Sequence, residues 1–338
     1  MSTLPVRPEV VYRPQSAVFW VWAGAVLLGL AMYISGSGWG LVETRQAHFV
    51  LAPLWCGFMI FLVWLMTRFD PFRAAVRYPQ MLAAGTALGA TIALAMAVSG
   101  NASLERAWAT VLDPVTLARW APALTAPLVE ESAKLACAAV ILVLCASVCT
   151  RISQALLVGM FVGFGFDIME DLSYAVVAAL DSLDSDLAGA SLQTAVRFVT
   201  SIPSHWSFTA LTSAGLMLLL PSFSNPDGWS RMRRVGTAAA LMAAGPLMHF
   251  VWNAPLPGIA GSELVKMAFN IAVFLTVALL LLRQERRWVI AHSDKAIRAG
   301  FSPELVASLP TWRSRRKFPG KRKQVRRQQR AALAAIQA

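Results

Sequence analysis

The chain is poor in charged residues, which excludes an ordinary soluble domain. Asp, Glu, Lys and Arg make up 14% of its 338 residues, against about 25% in soluble globular proteins. Hydrophobic residues reach 57% and the mean hydropathy is +0.57. Several apolar runs exceed the ~18–20 residues needed to cross a bilayer. The composition therefore predicts a polytopic integral membrane protein.

Cysteine and histidine are also scarce, with four residues of each. The cysteines lie in or beside apolar segments, and none is paired with histidine at the spacing of a metal knuckle. We therefore expect them to be buried, reduced and chemically inert. These are Cys56, Cys137, Cys145 and Cys149.

The apolar runs predict an all-α, polytopic membrane helix bundle of about eight transmembrane helices within residues 17–282. Residues 1–16 are polar and form an N-terminal segment, so the first apolar run is expected to be a retained helix and not a signal peptide. Residues 283–338 form a basic tail that is expected to be partly disordered. The predicted spans are about 17–35, 49–67, 81–99, 124–148, 154–179, 198–220, 235–257 and 264–282.

Lysine and arginine alternate between the loops in a way that sets the orientation. The loop after the second span contains Arg68, Arg73 and Arg77, and the loop after the sixth contains three arginines within 231–234. The fifth loop instead carries three aspartates between residues 181 and 186. This distribution predicts that both termini are cytoplasmic, in a bacterial cytoplasmic membrane.

The tail contains 15 of the 30 Lys and Arg residues. One interpretation is a contact with anionic lipid or nucleic acid. The simpler one is a cytoplasmic tail that obeys the positive-inside rule. We expect the lipid bilayer as a partner and do not expect nucleic acid; the oligomeric state stays open.

Ionisable side chains inside hydrocarbon are costly and mark function or pairing by default. Here they are concentrated in four spans, the fourth to the seventh. They are Glu130, Glu131, Lys134, Asp167, Glu170, Asp171, His205 and His249, with the polar Asn253 one turn after the last.

Four of these groups are predicted to lie in one layer. With a rise of ~1.5 Å per residue, Glu130, Glu170, His205 and His249 lie roughly 9–13 Å below the outer ends of their spans. Unrelated polar residues would be scattered in depth. The layer predicts a polar pocket near the extracytoplasmic surface.

Helical spacing assigns partners within the fourth span. Lys134 lies one turn from both Glu130 and Glu131, so it can neutralise one carboxylate. The adjacent glutamates point about 100° apart, so one is expected to face the pocket and the other to pair with Lys134. Asp167 and Asp171 are expected to serve structure or solvation.

Two chemical schemes activate water in such a pocket. In the first, Glu170, His205 and His249 are the ligands of a metal, Zn²⁺ being the candidate, and Glu130 or Glu131 is the general base. The fourth coordination position stays open for water. The scheme hydrolyses a peptide bond.

The second scheme needs no metal. A glutamate takes the proton from water directly, and histidine together with Asn253 stabilises the tetrahedral oxyanion. It gives the same reaction. The residues alone leave the choice between the two schemes open, and with it the choice of base.

The order of these motifs resembles the PrsW family of intramembrane metalloproteases, within the wider group of CAAX-processing and bacteriocin-processing membrane proteases. The resemblance covers roughly residues 120–257, and glutamate in the second motif favours the PrsW branch. It implies cleavage of a membrane-anchored protein near its extracytoplasmic side, such as an anti-sigma factor in regulated signalling. The matching motifs are Glu130-Glu131-x-x-Lys134, Phe166-x-x-x-Glu170, His205 and His249-x-x-x-Asn253.

Two other functions use the same polar layer. A transporter or proton relay would continue the polar path toward the cytoplasm, but the inner halves of spans four to seven are mostly Leu, Ala, Val and Met. A non-catalytic membrane scaffold would not need intact carboxylate and histidine positions. Both are therefore weaker alternatives to the protease.

Overall fold

The computed structural model describes residues 10–224, 228–256 and 261–337, and every regular element in these ranges is helical. Most of the predicted N-terminal segment and the last residue of the predicted seventh span lie outside the described residues. The apolar part of the chain forms eleven numbered helices, with a 3₁₀ turn at Thr67–Phe69 and a π-helical turn at Gly89–Ala93. In chain order they are α1 (Ala17–Glu43), α2 (Arg45–Met66), α3 (Ala74–Arg77), α4 (Pro79–Leu88), α5 (Leu94–Trp108), α6 (Pro114–Leu144), α7 (Ile152–Leu180), α8 (Asp186–Thr200), α9 (His205–Leu219), α10 (Arg231–Asn253) and α11 (Ser262–Ala291).

The all-α membrane bundle is confirmed, and seven of the eight predicted spans lie mostly on one helical stretch. The predicted sixth span, 198–220, is instead divided into the end of α8, the turn residues 201–204 and α9, so that His205 begins a helix. Within the described residues, six helical stretches are long and apolar enough to cross a membrane. The other two predicted spans correspond to α6, which carries Glu130, Glu131 and Lys134, and to α9, which has only 15 residues. The six stretches are Ala17–Glu43, Arg45–Phe69, Pro79–Trp108, Ile152–Leu180, Arg231–Asn253 and Ser262–Ala291.

Helix α7 is the centre of the bundle. Of its most apolar 18-residue stretch, 89% is buried, against 6% of the corresponding stretch of α1. Small residues allow this helix to approach its neighbours closely. A Cβ added to Gly163 would lie 2.3 Å from the carbonyl oxygen of His205, and one added to Gly159 would lie 2.3 Å from that of Thr209. The α7 and α9 backbones are therefore in direct contact beside His205.

The segment between the third and fourth predicted spans is mostly helical. Helix α5 continues to Trp108, and α6 begins at Pro114. Asp113 explains this start, because its side chain accepts hydrogen bonds from the backbone N–H groups of Val115 and Thr116 and so caps α6.

The basic tail, which is expected to be partly disordered, is helical over most of its described residues. From residue 293 onward it forms four helices whose apolar residues pack around Phe72 and Trp288, with Leu309 and Leu333 fully buried. The composition of the tail does not reveal this apolar face, because many arginines surround its apolar residues. The tail helices are α12 (Ser293–Arg298), α13 (Pro303–Ala307), α14 (Trp312–Lys317) and α15 (Arg322–Gln337).

We predict that Gly163→Ala destabilises the protein, because a methyl group cannot fit against the backbone of His205. Overpacking of this kind costs about 1–3 kcal/mol, which a thermal unfolding curve in detergent measures as a lower midpoint. The control is Gly24→Ala in α1, where nothing lies within 4 Å of the added Cβ. Equal midpoints for the two variants would contradict the close contact of α7 with α9.

Candidate active site

Helix α6 supplies a buried cluster of one cation and two carboxylates. The ammonium nitrogen (Nζ) of Lys134 lies 2.6 Å from Oε1 of Glu131 and 3.5 Å from Oε2 of Glu130. All three residues are buried. The lysine therefore neutralises Glu131 more closely than Glu130, as the helical spacing allowed.

The two adjacent glutamates have different surroundings. Glu131 accepts a hydrogen bond from the hydroxyl of Thr209 at 3.3 Å and lies 3.1 Å from Nδ1 of His249. Glu130 accepts one from the Asn101 amide at 2.9 Å and lines the cavity described below. Glu131 is thus held by protein groups on several sides, while Glu130 is the glutamate that reaches the cavity.

His249 is oriented by the inner glutamate. A carboxylate can only accept, so the 3.1 Å contact with Glu131 places the proton of the neutral ring on Nδ1. The other ring nitrogen, Nε2, lies 3.9 Å from Oε2 of Glu130. Its lone pair is therefore available beside Glu130.

His205 is fixed in the same manner by different partners. The Lys134 ammonium, which has only protons to give, lies 2.6 Å from Nδ1, so Nδ1 accepts and Nε2–H donates to Glu170 at 3.2 Å. Nδ1 is also 3.8 Å from Oε2 of Glu130. The rings of His205 and His249 are 4.9 Å apart at their centroids, so the predicted layer does bring its members together.

The aspartates of α7 set the position of His205, in line with the structural role expected for them. His205 is the first residue of α9, and Asp167 accepts hydrogen bonds from the Ser204 hydroxyl at 2.9 Å and the Trp206 backbone N–H at 3.0 Å. This is a helix cap supplied from another helix. Asp171 accepts a further bond from the Ser201 hydroxyl at 2.8 Å, so both carboxylates tie the start of α9 to α7.

Arg197 of α8 is the residue that sequence reasoning missed. Its guanidinium donates to Oε2 of Glu170 at 2.7 Å and, through Nε, to Asp171. From the sequence it was only a positive charge at the end of an acidic loop. No helical spacing links it to Glu170, because it reaches that carboxylate from a separate helix.

The site opens into a cavity of about 350 Å³. Asn253 borders it, and its amide donates to the carbonyl oxygen of Pro122 at 3.1 Å. The polar residues around the cavity include Asn101, Glu105, Thr125, Glu130, Glu170, Tyr174, Arg197, Thr200, Ser204, His205, His249 and Asn253. Glu130 and both histidines therefore line a space large enough to hold water.

A metal ion fits a donor set that differs from the predicted one. One donor atom each from Glu130, His205 and His249 lie within 4.8 Å of one another, and a His₂Glu set with bonds of about 2.0–2.2 Å is typical of catalytic zinc. Glu170, the predicted third ligand, instead lies beside Nε2 of His205. The sequence could not distinguish the two donor sets, because it does not show which nitrogen of the His205 ring faces the other donor atoms.

The surroundings of this donor set also suit a metal. The second nitrogen of each ring faces a carboxylate, Glu131 for His249 and Glu170 for His205, which is how proteins orient metal-bound histidines. Lys134 contacts the inward nitrogen of His205 at 2.6 Å. Binding of an ion by that nitrogen therefore requires Lys134 to release it.

Buried carboxylates and histidines around a water-accessible cavity in an apolar helix bundle define a membrane-embedded hydrolase. The chain belongs to the PrsW family of intramembrane metalloproteases: the model of that family matches residues 78–282, more than half of the chain. It is thus an integral, multi-pass membrane protease. No match was found among curated proteins or among solved structures.

We predict that Arg197→Gln destabilises the bundle, because Glu170 and Asp171 lose their shared cation. Loss of hydrogen bonds to charged groups costs about 1.5–3 kcal/mol, measured as a lower unfolding midpoint in detergent. Arg106→Gln removes an equal charge from an exposed site on α5 and should leave the midpoint unchanged. A midpoint for Arg197→Gln that equals that of the wild type would show that the pair contributes nothing.

Proposed function

We propose that this chain hydrolyses a peptide bond in a membrane-anchored protein, near the extracytoplasmic side of a bacterial cytoplasmic membrane, with both termini cytoplasmic. The observation that carries the proposal is the convergence of Glu130, His205 and His249 on an open cavity in a chain of this family. A hydrolase needs these groups, and water, in one place.

The side of the membrane is inferred from the loop charges and supported by the place of the cavity. Its lining includes Asn101 and Glu105 near the end of α5, Pro122 in the first third of α6, and Asn253 at the end of α10. The positive-inside rule assigns those helix ends to the outer side. A substrate chain would enter from that side.

We assign to Glu130 the role of the general base that takes a proton from the attacking water. Of the two adjacent glutamates it lines the cavity, whereas Glu131 is engaged by Lys134, Thr209 and His249. A general base must reach the proton that it takes. Glu131 then acts by holding His249, and Glu170 by holding His205.

The polar groups at the cavity wall bind the substrate carbonyl. His205 and His249 border the cavity beside Glu130, and Asn253 lies at its edge. A hydrogen-bond donor placed where negative charge develops stabilises the tetrahedral intermediate. We assign that role to Asn253 together with a doubly protonated histidine, because the N–H of each neutral ring is already directed at Glu131 or Glu170.

In the metal-dependent form, Glu130 would not act as the base but would hold the ion together with His205 and His249, with Zn²⁺ as the candidate. Bound zinc supplies a water of lowered pKa and polarises the carbonyl. Glu131 and Glu170 would keep the two rings in the required tautomers.

A metal-free form is favoured by one specific observation, the position of Lys134. Its ammonium already contacts His205 at 2.6 Å and Glu131 at 2.6 Å, and lies 3.5 Å from Glu130. It thereby supplies positive charge beside the donor atoms that an ion would use. In this form Glu130 takes the proton of water directly.

The substrate is the least defined part of the proposal. The family resemblance suggests regulated signalling, such as cleavage of an anti-sigma factor. A cavity bordered by Glu105, Glu130, Glu170 and Arg197 suits a polar, unwound peptide better than an intact apolar helix.

We predict that Glu130→Gln and His249→Ala each lower cleavage of a single-span membrane substrate by at least about 100-fold, the usual size of a general acid–base contribution. The assay is gel separation of cleavage products in proteoliposomes. Glu43→Gln, at the exposed end of α1, is the matched control and should cleave normally. Cleavage by Glu130→Gln at the wild-type rate would refute the assignment of Glu130.

We predict that the purified protein carries about one Zn²⁺ per chain if the metal-dependent form operates. Elemental analysis should show the loss of zinc in Glu130→Gln, His205→Ala and His249→Ala, and its retention in Asn253→Ala. An active protein without metal would support the metal-free form. Loss of zinc in Glu170→Ala but not in Glu130→Gln would restore the ligand set expected from the sequence.

A further inference from the structure

A second cavity, far along the chain from the catalytic residues, is lined by arginines. It has a volume of about 470 Å³ and lies between the turn that follows α2 and the tail helices α14 and α15. No acidic residue lines it among the described residues. Its arginines are Arg68, Arg73, Arg315, Arg316, Arg322, Arg326 and Arg330.

The nearest acidic side chain does not neutralise these arginines. Asp70 is buried, and its carboxylate accepts hydrogen bonds from the backbone N–H groups of Ala74 at 2.8 Å and Ala75 at 3.0 Å. In the part of the chain that the structure describes, no arginine of the cavity has a carboxylate oxygen within 4.0 Å. Seven arginines are therefore gathered around one space, and among the described residues no carboxylate forms an ion pair with any of them.

Burial makes this arrangement costly. The side chain of Arg315 is buried, and burial together with the nearby charge of Arg73 lowers its pKa to about 10. Burial also lowers the pKa of Arg73, and the charges of Arg326, Arg68 and Arg330 lower it further, while Asp70 raises it. An anion in the cavity would remove both unfavourable contributions of like charge.

The backbone conformation of Arg73 also indicates a binding site at this cavity. Arg73 adopts φ 58°, the left-handed region that non-glycine residues rarely occupy. It stands at the start of α3, and its side chain lines the cavity. Such strain persists only where the surroundings enforce it, and it is concentrated at binding sites.

An adjoining cavity of about 300 Å³ connects the arginines with the membrane-spanning part of the protein. It shares Arg68, Arg73 and Arg315 with the first cavity and continues to Leu279 and Leu282 of α11. Leu279 is 52% exposed on that helix. The space thus passes from a strongly positive region to an apolar surface, as a phospholipid does from headgroup to acyl chain.

We propose that this arginine-lined cavity binds a phosphate-bearing anion, and that its source is the headgroup of an anionic phospholipid. Arginine is the side chain best suited to phosphate oxygens, because its planar guanidinium donates two parallel hydrogen bonds. Basic pockets at the cytoplasmic ends of membrane helices recognise lipid headgroups in this way. The site would join the tail helices to the bilayer.

The experiment compares two pairs of arginine and lysine substitutions on α15. Arg326→Gln with Arg330→Gln removes two cavity charges one turn apart. Lys323→Gln with Arg327→Gln removes two charges at the same spacing from exposed positions outside the cavity lining. Native mass spectrometry of the full chain in detergent measures the binding of phosphatidylglycerol, of phosphatidylcholine with identical acyl chains, and of inorganic pyrophosphate.

We expect the cavity pair to weaken phosphatidylglycerol binding at least about tenfold, since each basic residue near a lipid surface contributes about 1 kcal/mol. The exposed pair should weaken it about threefold or less, because diffuse attraction is screened. Arg68→Gln with Arg316→Gln, two exposed side chains on separate elements, repeats the test if the first pair unfolds. All variants are checked by their unfolding midpoints.

The outcomes separate the two sources of phosphate. Binding of phosphatidylglycerol but not pyrophosphate, lost in the cavity pair, assigns the site to a lipid. Binding of pyrophosphate alone, lost in the same pair, supports the phosphate site but assigns it to a soluble ligand. Equal losses in the cavity and exposed pairs, or no preference over phosphatidylcholine, would overturn the proposal.

Discussion

Charges inside the bundle have to be paired, and the candidate active site is arranged around two cations, the buried Lys134 and the largely buried Arg197. Lys134 lies among the carboxylates of α6 and the ring of His205, and Arg197 joins Glu170 to Asp171. An unpaired carboxylate in a medium of low dielectric constant is prohibitively costly. Lys134 and Arg197 lie on opposite sides of the His205 ring. The ring is therefore held between carboxylates that these two cations neutralise.

The second constraint is the distance between α7 and α9. Gly159 and Gly163 bring the two backbones into contact, and Asp167 caps α9 at the residue that follows His205. The histidine is therefore positioned by main-chain packing as well as by its ring contacts. A site built on rigid helices in this manner keeps its geometry when the cavity fills with substrate.

The family match begins at residue 78 and ends at residue 282, so it covers α4 to α10 and most of α11 and leaves out α1, α2, α3 and the tail helices. The residues that line the arginine-lined cavity all lie outside the matched range. Phe72, in the turn after α2, and Trp288, in α11, pack against the apolar residues of the tail.

The sequence by itself determined the membrane helices and the identity of most polar site residues, because hydropathy is a property of composition and a carboxylate in an apolar run is conspicuous wherever the helix packs. The sequence also predicted that only one of the two adjacent glutamates, Glu130 or Glu131, faces the pocket, since helix periodicity separates adjacent side chains by a known angle. Only the tertiary structure decided that Glu130 reaches the cavity, that Glu170 backs the His205 ring, and that Arg197 belongs to the site. These depend on contacts between helices, and the rotation of one helix against another leaves no period in the sequence. The same explanation applies to the helical tail, because its apolar residues form a core only together with Phe72 and Trp288.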